Sequence, residues 1–208
     1  MSDTIVKTGT TTVALTTDEG VLLAADRRAS LGGRFVSNKN VQKVQAVHPT
    51  AALTMAGGVG SLQAFIRTLR AEASLYETRR DTSIDMAALS TLAGNLLRSG
   101  PYRADQPTLG GVDATGAHIY SLDPAGGVME DDYIAAGSGM QLAYGVLERE
   151  YDPDLSLEGT RRVAANAVES AVQRDTASGN GVTIATVTSD GVEIESYDEF
   201  AEITEVAA

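Results

Sequence analysis

The sequence contains no cysteine and no tryptophan in 208 residues, and only two histidines, three phenylalanines and five prolines. The lack of cysteine excludes disulfides, thiolate nucleophiles, iron–sulfur clusters and thiolate zinc sites together. Two histidines, His48 and His118, leave little room for a histidine-built metal centre, so neither metal nor cofactor is expected. Cations are scarce as well: 16 Lys and Arg stand against 28 Asp and Glu, a net charge of −12. Tracking nucleic-acid phosphates requires clustered cations, so no nucleic-acid partner is expected. No run of 18 apolar residues is present, and Met1-Ser2-Asp3 is not the basic start of a signal peptide. The expectation is an acidic globular protein of the cytoplasm, with no membrane partner.

What is present suffices for one well-buried core. The chain is 43% hydrophobic, and a domain of this size removes roughly 70% of its unfolded surface from water. Lysine occurs only at Lys7, Lys39 and Lys43, the other cations being arginines. A surface rich in Asp and Glu repels itself, and concentrated salt screens that repulsion. A salt-rich cytoplasm, with stability rising in molar salt, is the expectation.

Residues 1–9, MSDTIVKTG, are polar and read as a tail with no core to join. Thr10 to Thr17 alternates and is β-branched, Asp18-Glu19-Gly20 turns, and Val21 to Asp26 returns as a second strand. Leu31-Gly32-Gly33 turns again, Arg34 to Val47 reads as a short strand pair around Ser37-Asn38, and Ala51 to Ala56 as a buried strand. Apolar residues at helical spacing follow: Leu62, Phe65, Ile66, Leu69, Ala73 and Tyr76, then Met86, Leu89, Leu92, Ala93, Leu96 and Leu97, stopped by Gly100-Pro101. Strands are expected at Thr108 to Asp113, Ala117 to Leu122 and Asp132 to Ala136. Helices are expected at Met140 to Tyr151 and from Ser156 to about Asp175, and a closing hairpin at Val182 to Thr188 and Val192 to Ser196. Helices in consecutive pairs between antiparallel strand blocks do not make a βαβ nucleotide fold. Each pair covers one outer face of two stacked antiparallel sheets: an α+β, four-layer α-β-β-α sandwich.

The chemistry narrows by elimination. No serine satisfies G-x-S-x-G on a strand-to-helix turn, Gly137-Ser138-Gly139 coming nearest. Gly57-Gly58-Val59-Gly60-Ser61 lacks the Lys-Ser/Thr ending of a phosphate cradle and reads equally as a tight strand-to-helix turn. What remains is Thr10, directly after Gly9. Threonine becomes a nucleophile when a base lies beside it, and the nearest is its own α-amino group, of reference pKa about 7.7–8.0, once Gly9 is removed. Thr-rich strands are common, so Thr10 alone leaves the choice open.

The stretches KTGTTTVAL, LAADRRAS, VQKV, TMAGGVG, AEASLYETRR, LGGVD, YSLDPAGG, GSGMQLAYGVLE and RDTASGNG run in order from Thr8 to Gly181. With these, the sequence resembles the β subunits of archaeal-type proteasome core particles, within the N-terminal nucleophile hydrolases. The resemblance implies a propeptide over 1–9, removed by autolysis between Gly9 and Thr10, and a single catalytic domain over 10–208. It implies a threonine endopeptidase that degrades unfolded proteins in a closed chamber. Its implied partners are other β subunits in heptameric rings, flanking rings of α subunits, and an ATP-driven unfoldase. Thr10 then matches the nucleophile, Asp26 the acidic residue, and Lys43 the lysine paired with it. Ser138, Asp175 and Ser178 match the residues bonded around the threonine amine, and the Gly57 N–H the oxyanion donor. Ala29, Val41, Met55 and Val59 fall at the substrate pocket; being apolar, they imply cleavage after large hydrophobic residues, a chymotrypsin-like habit.

Other readings stay open at this point. The loop around Gly32 and Gly33 is one residue longer than the family's spacing, so Lys39 rivals Lys43 for the catalytic lysine. Ser138 and Ser178 also read as turn or cap serines, Asp26 as a strand-end turn residue, and the two histidines as exposed or structural. A bacterial two-ring peptidase also begins Thr-Thr but lacks the GSGMQLAYGVLE and RDTASGNG pattern. A non-catalytic structural ring subunit would have lost Thr10, Asp26 or Lys43, and all three are present.

Overall fold

A computed structural model of the chain describes residues 9–102 and 106–205. The expected tail over residues 1–8 lies outside that range. Gly9 differs from the expectation of a segment with no core to join, because it is buried.

Strands β1 (Thr11–Thr17) and β2 (Gly20–Asp26) form the first hairpin. Short strands β3 (Ala29–Leu31) and β4 (Phe35–Asn38) pair only with each other, and β5 (Val44–His48) and β6 (Ala51–Thr54) follow. Helices α1 (Val59–Arg80) and α2 (Met86–Ser99) precede β7 (Thr108–Asp113), β8 (Gly116–Leu122), β9 (Val128–Asp131) and β10 (Tyr133–Gly137). Helices α3 (Met140–Glu150) and α4 (Leu157–Val172), strands β11 (Val182–Thr188) and β12 (Gly191–Tyr197), and short helix α5 (Ala201–Glu205) complete the described chain. One five-stranded sheet runs β10-β1-β2-β11-β12 and the other β5-β6-β7-β8-β9, with every pairing antiparallel.

Strand periodicity sorts side chains into three apolar slabs, because successive residues point to opposite sheet faces. In β2, Leu22 and Ala24 face the α3 and α4 side, while Val21, Leu23 and Ala25 face the other sheet. Leu53 of β6 and Leu122 of β8 pack under α1 and α2 with Phe65, Leu69 and Leu89. The middle slab is built largely from small residues, including Ala14, Ala25, Ala52 and Ala185, so the sheets approach closely. Gly110 marks the limit, since a Cβ there would lie 2.8 Å from Val21 Cγ1. The fold is the expected α+β, four-layer α-β-β-α sandwich.

Helix ends obey local chemistry. Asp85 caps α2 by accepting the Ala88 N–H at 2.6 Å, and Ser156 caps α4 by accepting the Gly159 N–H at 3.2 Å. Helix α1 runs a turn past the apolar stripe, carries Arg79 and Arg80 at its negative end, and stops at Asp81 in the left-handed region, φ 52°. Among the described residues, no helix is long and apolar enough to cross a membrane.

The structure corrects three expectations. Ser37 and Asn38 lie within β4 rather than in a turn, and the strand pair expected over Arg34 to Val47 is divided: β4 returns on β3, while β5 opens the second sheet. The strand expected at Asp132 to Ala136 is β10, which pairs β1, and an unexpected strand, β9, precedes it and pairs β8. Helix α5 is unforeseen; its only deeply buried apolar anchor is Ile203, too little for a periodic signal.

Candidate active site

Strand β1 lies between β10 and β2, so its first residues are fixed from both sides: Thr11 faces Gly137 and Thr12 faces Ala25. Thr10, just before it, is held at the mouth of a cleft that Gly9, Arg28, Ala29, Val41, Lys43, Met55, Gly57 and Leu62 also line. The Thr10 hydroxyl donates to the Gly9 carbonyl oxygen at 2.7 Å, and the Thr10 N–H donates to Ser138 Oγ at 3.1 Å. The hydroxyl therefore already contacts the carbonyl that a threonine nucleophile would attack first.

Asp26 ends β2 and is fully buried. Its Oδ1 accepts from the Thr11 N–H at 2.9 Å and from Lys43 Nζ at 2.7 Å. Its Oδ2 accepts from the N–H groups of Arg28 at 3.0 Å and Gly179 at 2.9 Å. Four donors meet the cost of burying this carboxylate and fix its plane. Lys43 is nearly buried beside it. Burial pushes the Lys43 ammonium below its ordinary value of 10.5, against the opposing pull of Asp26.

Lys39 is exposed beyond β4, whereas Lys43 reaches Asp26. Between Arg28 and Lys43 the β3–β4 ladder is irregular. Ala29 pairs with Asn38 but Ser30 with Val36, a bulge that consumes one residue of β4. Beyond it the path is pinned: the Val41 N–H donates to Arg27 O at 2.9 Å and the Met55 N–H to Lys43 O at 2.7 Å.

A second hydrogen-bonded chain closes around the Thr10 nitrogen. Ser138 Oγ donates to Asp175 Oδ2 at 2.5 Å, and Ser178 Oγ donates to the same oxygen at 2.6 Å. Ser178 Oγ also lies 2.8 Å from Thr11 Oγ1, while the Ala177 N–H donates to Asp175 Oδ1 at 3.1 Å. Ser138 is exposed, so this chain opens to solvent next to Thr10. The glycines flanking Ser138 are sterically required: a Cβ on Gly137 would lie 2.1 Å from Thr10 O, and one on Gly139 2.0 Å from Thr11 Oγ1.

Of the expected pocket residues, Ala29, Val41 and Met55 line the cleft. Val59 opens α1, and its side chain lies outside the described residues. Gly57 lines the same cleft with φ 119°, a conformation that side chains rarely adopt. Arg28, Leu62, Thr11 and Gly179 also belong to the site, and none is among the site residues expected from sequence. Arg28 places a cation at the cleft, with its guanidinium donating to Asn180 Oδ1 at 3.0 Å and Thr176 O at 2.9 Å. Leu62 was assigned to the core stripe alone, and the remaining two act through backbone or hydroxyl groups that leave no compositional trace. Both histidines are structural: His48 bonds Glu77 at 3.0 Å and His118 bonds Glu130 at 2.6 Å. Among the described residues no group of three or more side chains could hold a metal ion.

Comparison with known proteins gives the family. The family model described as "Proteasome subunit" matches residues 6–187. The chain belongs to the proteasome subunit family. The relatives of this proteasome subunit include proteasome subunit beta 2 of Haloterrigena turkmenica, 65% identical over 198 residues, 95% of this chain and 84% of that one. Proteasome subunit beta of Halorhabdus utahensis is 62% identical over 200 residues, covering 96% of this chain and 86% of its own. Proteasome subunit beta 1 of Haloarcula marismortui is 60% identical over 197 residues, covering 95% and 82% respectively. In this proteasome subunit, the matched residues 6–187 include Thr10, Asp26, Lys43, Ser138, Asp175 and Ser178.

Proposed function

We propose that the chain is a catalytic beta-type proteasome subunit, a threonine endopeptidase that works in the cytoplasm on unfolded proteins inside a closed chamber. The chamber is formed by heptameric rings of beta subunits flanked by alpha subunits and fed by an ATP-driven unfoldase. The carrying observation is the position of Thr10, its hydroxyl on the Gly9 carbonyl, between the Asp26–Lys43 pair and the Ser138–Asp175–Ser178 chain.

Activation is autolytic in this reading. Thr10 Oγ bonds to the Gly9 carbonyl carbon, the Gly9–Thr10 C–N bond breaks, and the hydroxyl proton ends on the departing nitrogen. Water then cleaves the ester, freeing residues 1–9 as an acid and Thr10 with its own amine. In peptide cleavage that amine takes the Oγ proton as Oγ attacks the scissile carbonyl, then passes it to the leaving amine as the C–N bond breaks. Water hydrolyses the resulting ester and restores Thr10. Ser138, held by Asp175, orients the amine, and the Gly57 N–H stabilises the oxyanion. The Lys43 ammonium lowers the cost of proton loss from Thr10, and Asp26 keeps that ammonium in place.

Ala29, Val41 and Met55 give the cleft apolar walls, supporting large hydrophobic side chains before the cut. Arg28 and Lys43 add a penalty for basic ones. The decisive test is Thr10→Ala. Intact mass of the purified particle should show a chain retaining residues 1–9, without peptidase activity. Trimming of that variant at residue 10 would assign processing to another protease and refute autolysis.

A further inference from the structure

The two arginines that follow Asp26 reach two different segments of the chain. Arg28 turns to Asn180 Oδ1 and Thr176 O, on either side of Ser178 and Gly179. Arg27 is buried, and each of its polar groups is engaged. Its N–H donates to Gly179 O at 3.0 Å, and its carbonyl oxygen accepts the Val41 N–H at 2.9 Å. In the guanidinium, Nε donates to Asn40 Oδ1 at 3.2 Å and Nη2 donates to the same oxygen. Nη1 donates to Tyr197 O at 3.3 Å and to the carboxylate of Asp198. A guanidinium is costly to withdraw from water unless its donors are met, and two segments of the chain meet them.

These contacts are unequal. The Asp198 side chain is 85% exposed, so water screens its ion pair. Asn40 instead belongs to residues 39–43, which form neither strand nor helix and carry the chain from β4 to β5. Within that stretch Arg27 takes two successive residues, Asn40 through its side chain and Val41 through its N–H. Lys43 follows two positions later, and its own carbonyl oxygen accepts the Met55 N–H at 2.7 Å. Two residues span at most about 7 Å, so the Lys43 backbone is set by Arg27 on one side and Met55 on the other. A lysine stem is flexible. Its ammonium meets Asp26 Oδ1 at 2.7 Å because the backbone beneath it is fixed.

We infer that Arg27 is a positioning residue: its guanidinium, bonded to Asn40, holds the stretch that delivers Lys43 to Asp26. The inference rests on the reading of Lys43 as part of a peptidase site, and adds what places it there. Arg27 does not line the cleft, so its side chain acts through Lys43 rather than on substrate. Removing either partner of the Arg27–Asn40 bond frees residues 39–43 to shift. Asp26 keeps its three backbone donors, the N–H groups of Thr11, Arg28 and Gly179, so the loss falls on the lysine. A misplacement of about 1 Å is enough to cost on the order of 10²-fold in rate.

The scarcity of lysine makes Lys43 readable by its own chemistry. The full-length chain, in its assembled form, is treated with N-hydroxysuccinimidyl acetate, and acetylation of each lysine is followed by mass spectrometry. Exposed Lys39 is the internal reference, and buried Lys43 should react far more slowly. Asn40→Ala and Arg27→Gln should each raise the Lys43 rate, relative to Lys39, by at least ~10-fold. Asn40→Asp keeps the acceptor and Asp198→Asn loses only a screened ion pair, so both should stay within about threefold of the parent. Leu89→Ala loosens the core under α2 instead, and should leave Lys43 protected at an equal fall in thermal midpoint. In parallel, kcat toward a fluorogenic peptide should fall at least ~10-fold in Asn40→Ala and Arg27→Gln, with KM within about threefold. If Lys43 stays as protected in both variants as in the parent, or is equally exposed in Leu89→Ala, the assignment is overturned. Exposure of Lys43 with unchanged kcat keeps the positioning role and counts against Lys43 in the peptidase site. A parent without peptidase activity refutes the enzymatic reading, while the acetylation rates still decide the role of Arg27.

Discussion

Replacing Gly9 by alanine should stop processing through space rather than through chemistry. A Cβ at position 9 would lie 1.8 Å from Ala177 Cβ, 2.9 Å from Ser138 Oγ and 3.1 Å from Ala177 Cα. The first contact is with a side chain that has no rotamer to escape into. Reaching ordinary carbon–carbon separation requires a shift of roughly 1.5–2 Å. Overpacking of that kind costs about 1–3 kcal/mol, less than the stability of an ordinary domain, so the chain still folds with Gly9 displaced. The displacement falls on the carbonyl whose oxygen lies 2.7 Å from the Thr10 hydroxyl. A misplacement of about 1 Å between reacting groups costs on the order of 10²-fold in rate. Gly9→Ala should therefore slow release of residues 1–9 by at least ~10²-fold, followed by intact mass during assembly. Gly9→Ala/Ala177→Gly removes the clashing methyl group and should recover most of the rate, within about tenfold of the parent. If Gly9→Ala is processed at the parental rate, or if the double variant stays as slow as the single, crowding by Ala177 is not what positions this carbonyl.

Lys43→Arg keeps the charge but replaces a compact ammonium with a planar fork that does not fit the buried site on Asp26, so peptidase activity should fall by at least ~10²-fold. Lys39→Arg should be nearly silent, and the reverse pattern would overturn the assignment. Because burial sets the Lys43 pKa below 10.5, the folded protein sheds this proton at lower pH than the unfolded chain. Its contribution to stability therefore rises with pH across that window, whereas activity that needs the ammonium falls there. A kcat/KM profile flat through pH 10.5 would contradict this. Fluorogenic peptides with Tyr, Phe or Leu at P1 should be cut faster than those with Arg, which would be desolvated beside Arg28 and Lys43. Met55→Glu should raise relative cleavage after Arg, and equal parental rates after Arg and Tyr would refute the pocket. Finally, the thermal midpoint should rise with molar salt, given the net charge of −12, and indifference to salt would remove the basis for a salt-rich setting.

Local pattern was enough for helices α1 to α4 and most strands. The stripe from Leu62 to Tyr76, the alternation of Thr10 to Thr17, and the turn at Asp190-Gly191 each carry their own period or turn chemistry. The paired helices between antiparallel blocks were enough for four layers, because each helix pair and each sheet face must cover the other. The motif stretches were enough for the family. Sheet membership was not legible. Asp131 and Asp132 carry no Gly or Pro, yet between β9 and β10 the chain passes from one sheet to the other, since only β8 and β1 offer free edges there. Spacing alone left Lys39 and Lys43 as rivals; in the structure Lys43 reaches the buried Asp26 while Lys39 is exposed, a difference that depends on the path of the chain in three dimensions. The burial of Gly9, the four donors on Asp26 and the bond between Thr11 and Ser178 were equally beyond the sequence. Thr11 and Ser178 are 167 positions apart, and only the meeting of β1 with the α4–β11 turn brings their hydroxyls to 2.8 Å. A one-dimensional pattern records which face a residue takes. Which distant residue lies against that face is settled by packing three apolar slabs at once.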